Sequence, residues 1–278
     1  MNSHPTHIEM IHTIDACLEH QELQSLIWGY EPREIVPARL LITLSRHGGV
    51  VLGAYIQSAM VGLLLSVQAE HNGQRAHLSY MVGVHPKWRG RGIGAALKWR
   101  QRELVLAQGI ELIVWTCDPL EAANARLNLA CLGGIARTYT EDYYGPMEDR
   151  LNRGMPSDRL LVEWHLNTTR VRTRAAAREI SHASQQSGDT PCALGSIVGS
   201  GEIRLPTTYV PPTAAIALVE IPARVQEIKR VSREAALAWR KATREAFTCL
   251  FAEGYVASEL VYRHERVFYR VERPLRIE

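Results

Sequence analysis

His85–Leu97 reads HPKWRGRGIGAAL. Glycines stand at the alternate positions 90, 92 and 94, arginines at 89 and 91, and an apolar helical pattern starts at Ile93. This is the composition of an anion site. The first N–H groups of a helix have no intrahelical partners, and the helix dipole adds positive potential at the same end. Glycine lets an anion approach the backbone closely. Arg89 and Arg91 can add charge-assisted contacts.

Working outward, the apolar run before the loop, Ala76–Val84, predicts a strand. Two more runs precede it, Val50–Ile56 and Met60–Gln68, with turns at Gln57-Ser58-Ala59 and His71-Asn72-Gly73. The Asn-Gly pair permits the positive φ of a tight hairpin. These three strands form an antiparallel meander. Ahead of them come a short strand (Ile8–Thr13), a helix (Asp15–Trp28) and a second helix (Val36–Leu44). After the loop, Ile93, Ala96, Leu97, Arg100, Leu104 and Leu106 predict a helix ending near Gly109. Then follow a buried strand, Glu111–Cys117, a helix, Glu121–Leu132, closed by Gly133-Gly134, and a strand, Arg159–Leu166.

Three anions suit the loop. A nucleoside triphosphate is excluded, because Gly94 is followed by Ala95-Ala96 and not by the Lys-Ser/Thr of a Walker loop. A dinucleotide such as NAD is a competitor, since Gly90–Ala95 fits G-x-G-x-x-A and Asp118 ends the next strand. Against it, five residues (His85–Arg89) separate Val84 from Gly90, and a meander precedes the motif where a dinucleotide fold would normally begin. The third anion is the pyrophosphate of coenzyme A.

MVGVHPKWRGRGIGAAL, residues 81–97, resembles the signature of the GNAT superfamily of acyl-CoA-dependent N-acyltransferases. Val84, Pro86, Arg89, Gly92 and Gly94 fill every specified place of V-x-P-x-x-[RQ]-x-x-G-x-[GA], and the order of elements over Ile8–Leu166 agrees as well. The resemblance implies a mixed α/β fold with a central, mostly antiparallel sheet flanked by helices. It implies acetyl-CoA, or another acyl-CoA such as succinyl-CoA, as co-substrate, with no metal. It assigns the pyrophosphate to Arg89, Gly90, Arg91, Gly92, Ile93 and Gly94. The pantetheine arm falls to the strand edge Met81, Val82, Gly83 and Val84, with Gly83 suited to a bulge. Asn124 matches an Asn that touches pantetheine, and Asn128 lies one turn on.

Direct attack of an amine on a thioester needs a proton acceptor, an oxyanion stabiliser and an acid for the thiolate. Many family members carry a Tyr about seven residues after that Asn; here position 131 is Cys. Tyr139, Tyr143 and Tyr144 are the alternatives, Tyr144 first. For the base, His77 and Tyr80 lie on the strand before the loop, on opposite faces by the two-residue period. Asp118 suits either the acceptor amine or an Asp-Pro turn or N-cap for the following helix, and Cys131 reads as packing.

The expected domains are 1–166 (N-acyltransferase), 167–212 (irregular arm) and 213–278, a β-α-β-β unit with strands 214–221, 256–262 and 267–271 around a helix, 225–252. That unit reads as half of a second copy without its loop, or as a module that swaps strands or completes the first sheet; its role is a substrate lid or packing and dimerisation, so a homodimer is one expectation. In the arm, Arg170, Arg172, Arg174 and Arg178 read as a solvated face, with an acidic partner or RNA as the alternative.

Net charge is only +3 over 278 residues, which does not point to nucleic acid. No run reaches the roughly 18 apolar residues of a membrane span. The N-terminus lacks a secretory pattern, and five scattered cysteines form no CxxC. A reducing cytoplasm is the expected compartment. The expected acceptor is an amine of a small molecule or amino acid; the other class of function is a non-catalytic acyl-CoA-binding protein.

Overall fold

Thr13 starts the first helix: its hydroxyl accepts from Ala16 N–H (3.3 Å), and Gly29, at φ 69°, ends the helix with its own N–H on Ser25 O. The computed structural model of the chain describes residues 6–147, 149, 152–177, 190–199 and 203–275. The chain divides into two compact units. One comprises residues 1–115 with 149–151 and 165–167; the other comprises 116–148, 152–164 and 168–278.

In the first unit the order is β1 (His7–Met10), α1 (Ile14–Trp28), α2 (Ala38–Arg46), β2 (Val50–Ile56), β3 (Ala59–His71), β4 (Gln74–Val84), α3 (Ile93–Ala107) and β5 (Leu112–Cys117), whose last two residues belong to the second unit. Strands β1 to β4 pair antiparallel in sequence order, as the meander predicts. Asn72 (φ 50°) and Gly73 (φ 75°) make the turn between β3 and β4. The crossover through α3 brings β5 parallel to β4. One core, with Cys17, Leu23, Ile27, Leu41, Val51, Leu63 and Met81, packs α1 and α2 on one face of this sheet. On α3 the buried residues are Ile93, Leu97, Lys98, Gln101 and Val105. The helix is thus rotated from the face read off the sequence. Ala96 is exposed and Gln101 is not, because the i, i+4 series 93-97-101-105 contains a glutamine that an apolar pattern discards.

The second unit contains α4 (Ala122–Ala125), continued by a π-helical turn (Arg126–Cys131), then β6 (Ile135–Thr140), β7 (Arg159–His165), α5 (Thr169–Ala177), β8 (Cys192–Leu194), β9 (Ser196–Val198), β10 (Arg204–Pro206), β11 (Ile216–Ile221), α6 (Val225–Val231), α7 (Arg233–Ala252), β12 (Val256–Arg263) and β13 (Arg266–Glu272). Its sheet runs β7-β6-β12-β13-β11-β8. Among the described residues these strands pair antiparallel, except β11 with β8, which are parallel. Fully buried Trp164, Trp239, Phe247, Tyr255, Phe268 and Tyr269 fill its core.

Several expectations change here. Residues 213–278 share a sheet with β6 and β7, so position 166 is not where the compact units part. Strand β6 escaped the sequence reading because Arg137, Thr138 and Thr140 interrupt its apolar pattern; only Ile135 and Ala136 are buried. The arm carries α5 and three short strands; Arg178 and Ser184–Gly188 lie outside the described residues. The expected helix 225–252 is broken at Ser232, whose hydroxyl accepts from Ala235 N–H (3.1 Å) and starts α7. Arg170 and Arg174 are not a solvated face. They donate to the carbonyls of Gly133 (3.2 Å) and Ala130 (2.7 Å) at the end of the π-helical turn and pair with Glu259. Arg172 alone of the three is exposed.

Candidate acyl-CoA site

Gly90 (φ 76°) and Gly92 (φ 79°) both occupy the left-handed region that favours glycine. Gly92 is the N-cap of α3, with no side chain to cap it. The helix ladder opens with Ala96 N–H on Gly92 O (3.0 Å), which leaves the N–H groups of Ile93, Gly94 and Ala95 without intrahelical acceptors. Buried Ile93 anchors the turn. Of the two arginines, Arg89 spends its Nε on Val84 O (3.1 Å), and Arg91 lies over the Trp88 ring at 4.6 Å. Both remain exposed, so their remaining N–H groups are available to an anion. A turn with these donors and no Cβ at three positions fits a pyrophosphate.

The strand leading to this loop has an open edge. β4 pairs with β5 only at His77–Ile113 and Leu78–Val114. From Ser79 to Val84 no pairing with β5 is seen among the described residues. The bulge that accompanies this opening is at Tyr80, not at Gly83. Ser79 is paired with Ser66 and Met81 with Leu65, so Tyr80 is the extra residue, and it is exposed. The extra residue reverses the alternation of faces. Ser79 meets Gln101 of α3, whereas Met81 joins the α1–α2 core. Gly83 serves close approach instead: a Cβ there would stand 2.7 Å from the Trp28 ring and 2.9 Å from Ile27. Val82 and Val84 are half-buried on the same open stretch.

His77 is not placed to act as a base. It is fully buried; Nδ1 faces Ser66 Oγ (3.0 Å) and Nε2 faces Gln108 Oε1 (2.9 Å). Burial lowers its pKa. Gln108 caps the C-terminal end of α3, so His77 sits roughly 22 Å along that helix from the loop at its N-terminus. A different group lies nearer the opening of the strands. Lys98 is buried, donates to Ser79 Oγ (3.0 Å) and stands 3.7 Å from the Trp115 ring centroid. Ser79 Oγ in turn donates to Gln101 Oε1 (3.3 Å). Burial takes the Lys98 pKa well below the usual lysine range. The sequence reading missed it by dismissing a charged residue from a helix core; its place one step beyond Leu97 on the 93-97-101 stripe is the signal that was there.

In the second unit, Asn124 is exposed on α4, as a ligand contact requires. Asn128 is buried and does not share its environment; its side chain bonds Cys117. Burial first, then Asp118, pushes the Cys117 thiol up to about 12, and burial also raises Cys131, so neither is a ready nucleophile. Among the tyrosines, Tyr139 is committed: its hydroxyl donates to Asp158 Oδ2 (2.6 Å), and burial with that carboxylate raises its pKa. Tyr144 is half-exposed, its hydroxyl 2.9 Å from Thr116 Oγ1 and its ring 5.2 Å from the Arg159 guanidinium. Tyr143 packs edge-on against it. Asp118 makes an Asx turn, accepting from Leu120 N–H (2.8 Å), and takes Arg240 Nη2 (2.6 Å) on its other oxygen.

The first unit is thus an α/β domain with a glycine turn at a helix mouth and, beside it, the stretch of β4 that has parted from β5. Residues 15–130 match the family model described as the acetyltransferase (GNAT) family. No curated protein matches the sequence. Among solved structures, the chain is similar to the acetyltransferase of GNAT family from Streptococcus pneumoniae (12% identity, 57% of this chain and 98% of that one, TM-score 0.48). It is also similar to the ribosomal-protein-S18-alanine N-acetyltransferase from Escherichia coli (13%, 57% and 92%, 0.46). A third likeness is to yncA from Salmonella typhimurium with its cofactor acetyl-CoA (20%, 58% and 94%, 0.46). Residues 15–130, less than half of the chain, thus carry a domain of the GNAT acetyltransferase type. Among the described residues no cluster of His, Cys, Asp or Glu is arranged to hold a metal, and no helix is long and apolar enough to cross a membrane.

Proposed function

We propose that the protein moves an acyl group, acetyl in the first instance, from acyl-CoA to the amine of a small molecule or amino acid by direct attack. The observation that carries this reading is the junction of the Gly90–Gly94 turn with the open β4 edge: a turn for the pyrophosphate, and backbone groups for an extended arm beside it. Backbone N–H groups of the turn hold the diphosphate, and Met81, Val82, Gly83 and Val84 supply the edge. Asn124 is the proposed further contact to the pantetheine arm. The turn reads only the CoA portion, so succinyl-CoA is an alternative donor. Tyr144 is the proposed acid for the departing thiolate: its hydroxyl is exposed and held in place by Thr116.

Calorimetry with acetyl-CoA, succinyl-CoA, free CoA and NAD(H), followed by thiol release over a panel of amines and amino acids, tests the reading. Binding of a CoA ester with amine-dependent thiol release supports it, and Tyr144→Phe then lowers kcat. NAD(H) binding without a response to CoA overturns it. The second reading, an acyl-CoA-binding protein without turnover, rests on Cys131 standing where many relatives have a tyrosine; tight acetyl-CoA binding with no thiol release from any amine would favour it.

A further inference from the structure

The open edge of β4 runs from Ser79 to Val84, about 20 Å of strand. A ligand anchored by its diphosphate at Gly90–Gly94 and lying along that edge ends where the edge begins, at the point where β4 and β5 part. Three side chains meet at that point. Ser79 of β4 is the first residue past the last β4–β5 pair, Trp115 of β5 is its counterpart, and Lys98 of α3 reaches between them, 3.0 Å from Ser79 Oγ and 3.7 Å from the Trp115 ring centroid. Gln101, one turn further along α3, accepts from Ser79 and leaves its own Nε2 without a partner, although it is fully buried. These polar groups occupy a place where strand hydrogen bonds have stopped and a core would otherwise be apolar. A buried lysine is costly to keep unless its amine does something there.

Resting on the acyl-transfer reading, we infer that Lys98 is the proton acceptor of the reaction, acting through the Ser79 hydroxyl. As the acceptor nitrogen bonds to the thioester carbon it becomes cationic and acidic. The Ser79 hydroxyl, which in the structure donates to Gln101 Oε1, turns to Lys98 Nζ, takes that proton on its oxygen and passes its own to the amine. The C–S bond breaks, its electron pair leaves on sulfur, and the amide remains. The sulfur takes up one proton to become free CoA, and Lys98 returns one to solvent through Ser79, so protons balance over the cycle. Burial favours the uncharged form of this amine, the form that can accept a proton. Ser79 from β4 and Trp115 from β5 stand against Lys98, and Gln101 of its own helix is joined to it through Ser79. The other titratable group in contact with α3 from β4, His77, has both ring nitrogens engaged by Ser66 and Gln108.

The test uses the full chain and the amine giving the highest turnover. Lys98→Met keeps the volume and removes a buried amine, so it should fold; Ser79→Ala is the second variant. Acetyl-CoA binding by calorimetry is expected to stay within about threefold of the wild type in both. For Lys98→Met, kcat is expected to fall about 10²–10⁴-fold, the usual worth of a general base. The wild-type loss of kcat toward acid pH, which reports protonation of Lys98, is expected to disappear, and a purely structural role would not remove it. Ser79→Ala should lower kcat while keeping the acid limb shifted or intact. The inference is overturned if Lys98→Met keeps kcat within threefold or keeps the same acid limb. It is also overturned if peptide mapping finds the acyl group on wild-type Lys98, which would make it an acceptor. A wild type that binds no CoA ester, or binds it and releases no thiol with any amine, overturns the acyl-transfer reading and this one with it. Turnover unchanged in Lys98→Met overturns this one alone.

Discussion

Replacing Gly92 by glutamate puts a carboxylate at the mouth of α3. Gly92 sits at φ 79°, so any other residue pays about 1–2 kcal/mol of left-handed strain. That strain is present with and without ligand and lowers stability, not affinity. The effect on binding is electrostatic. A carboxylate about 5 Å from one diphosphate charge, at an effective dielectric of about 20, repels it by roughly 3 kcal/mol. That is on the order of a 100-fold loss of acetyl-CoA affinity. Gly109→Glu is the matched control: Gly109 has φ 71°, open space around it, and lies at the opposite end of the same helix. Calorimetry on both variants, with thermal melts alongside, separates the terms. Similar drops in Tm are expected for both, and a large loss of affinity only for Gly92→Glu. If Gly92→Glu binds within threefold of wild type, or Gly109→Glu loses as much, the turn does not hold the diphosphate and the reasoning fails.

Three further outcomes are expected. Burial holds His20 at about 4 in the folded state, below its ordinary 6.5, so the unfolded chain binds the extra proton first. Stability present above pH 6.5 is lost as the pH falls to about 4, by about 3 kcal/mol, and denaturant melts of His20→Gln should show a flatter acid limb. Gly83→Val forces a side chain against Trp28 and Ile27 and should cost about 1–3 kcal/mol in the same assay; no change would mean α1 moves freely away from β4. Arg174→Ala removes the nearer of two arginines on the largely buried Glu259, leaves Arg170 there and frees Ala130 O, so about 2 kcal/mol is expected, whereas exposed Arg172→Ala should stay within about 0.5 kcal/mol. Equal losses in urea titrations would show that the Arg174 contacts contribute little.

Much of the first unit was legible because its signals are local. The Asn72-Gly73 turn, the three apolar strand runs and the glycine turn each need only neighbours in sequence to be read. The bulge was misplaced because a glycine is the visible cue, while the actual extra residue, Tyr80, is defined only by how Ser79 and Met81 pair with β3. Lys98 and Gln101 were invisible because their burial depends on the rotation of α3 against the sheet, which the apolar pattern set a few tens of degrees away. In the second unit the arginines of α5 were read as surface, since nothing nearby in sequence announces Glu259 or the carbonyls of Ala130 and Gly133. Asp118 showed its turn plainly; its Arg240 partner comes from α7.

The pairing of β6 with β12 joins Ala136 to Ala257, positions 121 residues apart in the chain. At about 5–20 residues per second, a ribosome needs roughly 6–24 s to deliver the second of these strands after the first. During that interval β6, with its pairing edge toward β12 unfilled, is a template for any other strand that reaches it. The second unit therefore closes late in synthesis, and its yield in a cell should depend on translation speed and on chaperones that occupy that edge while the chain is being completed.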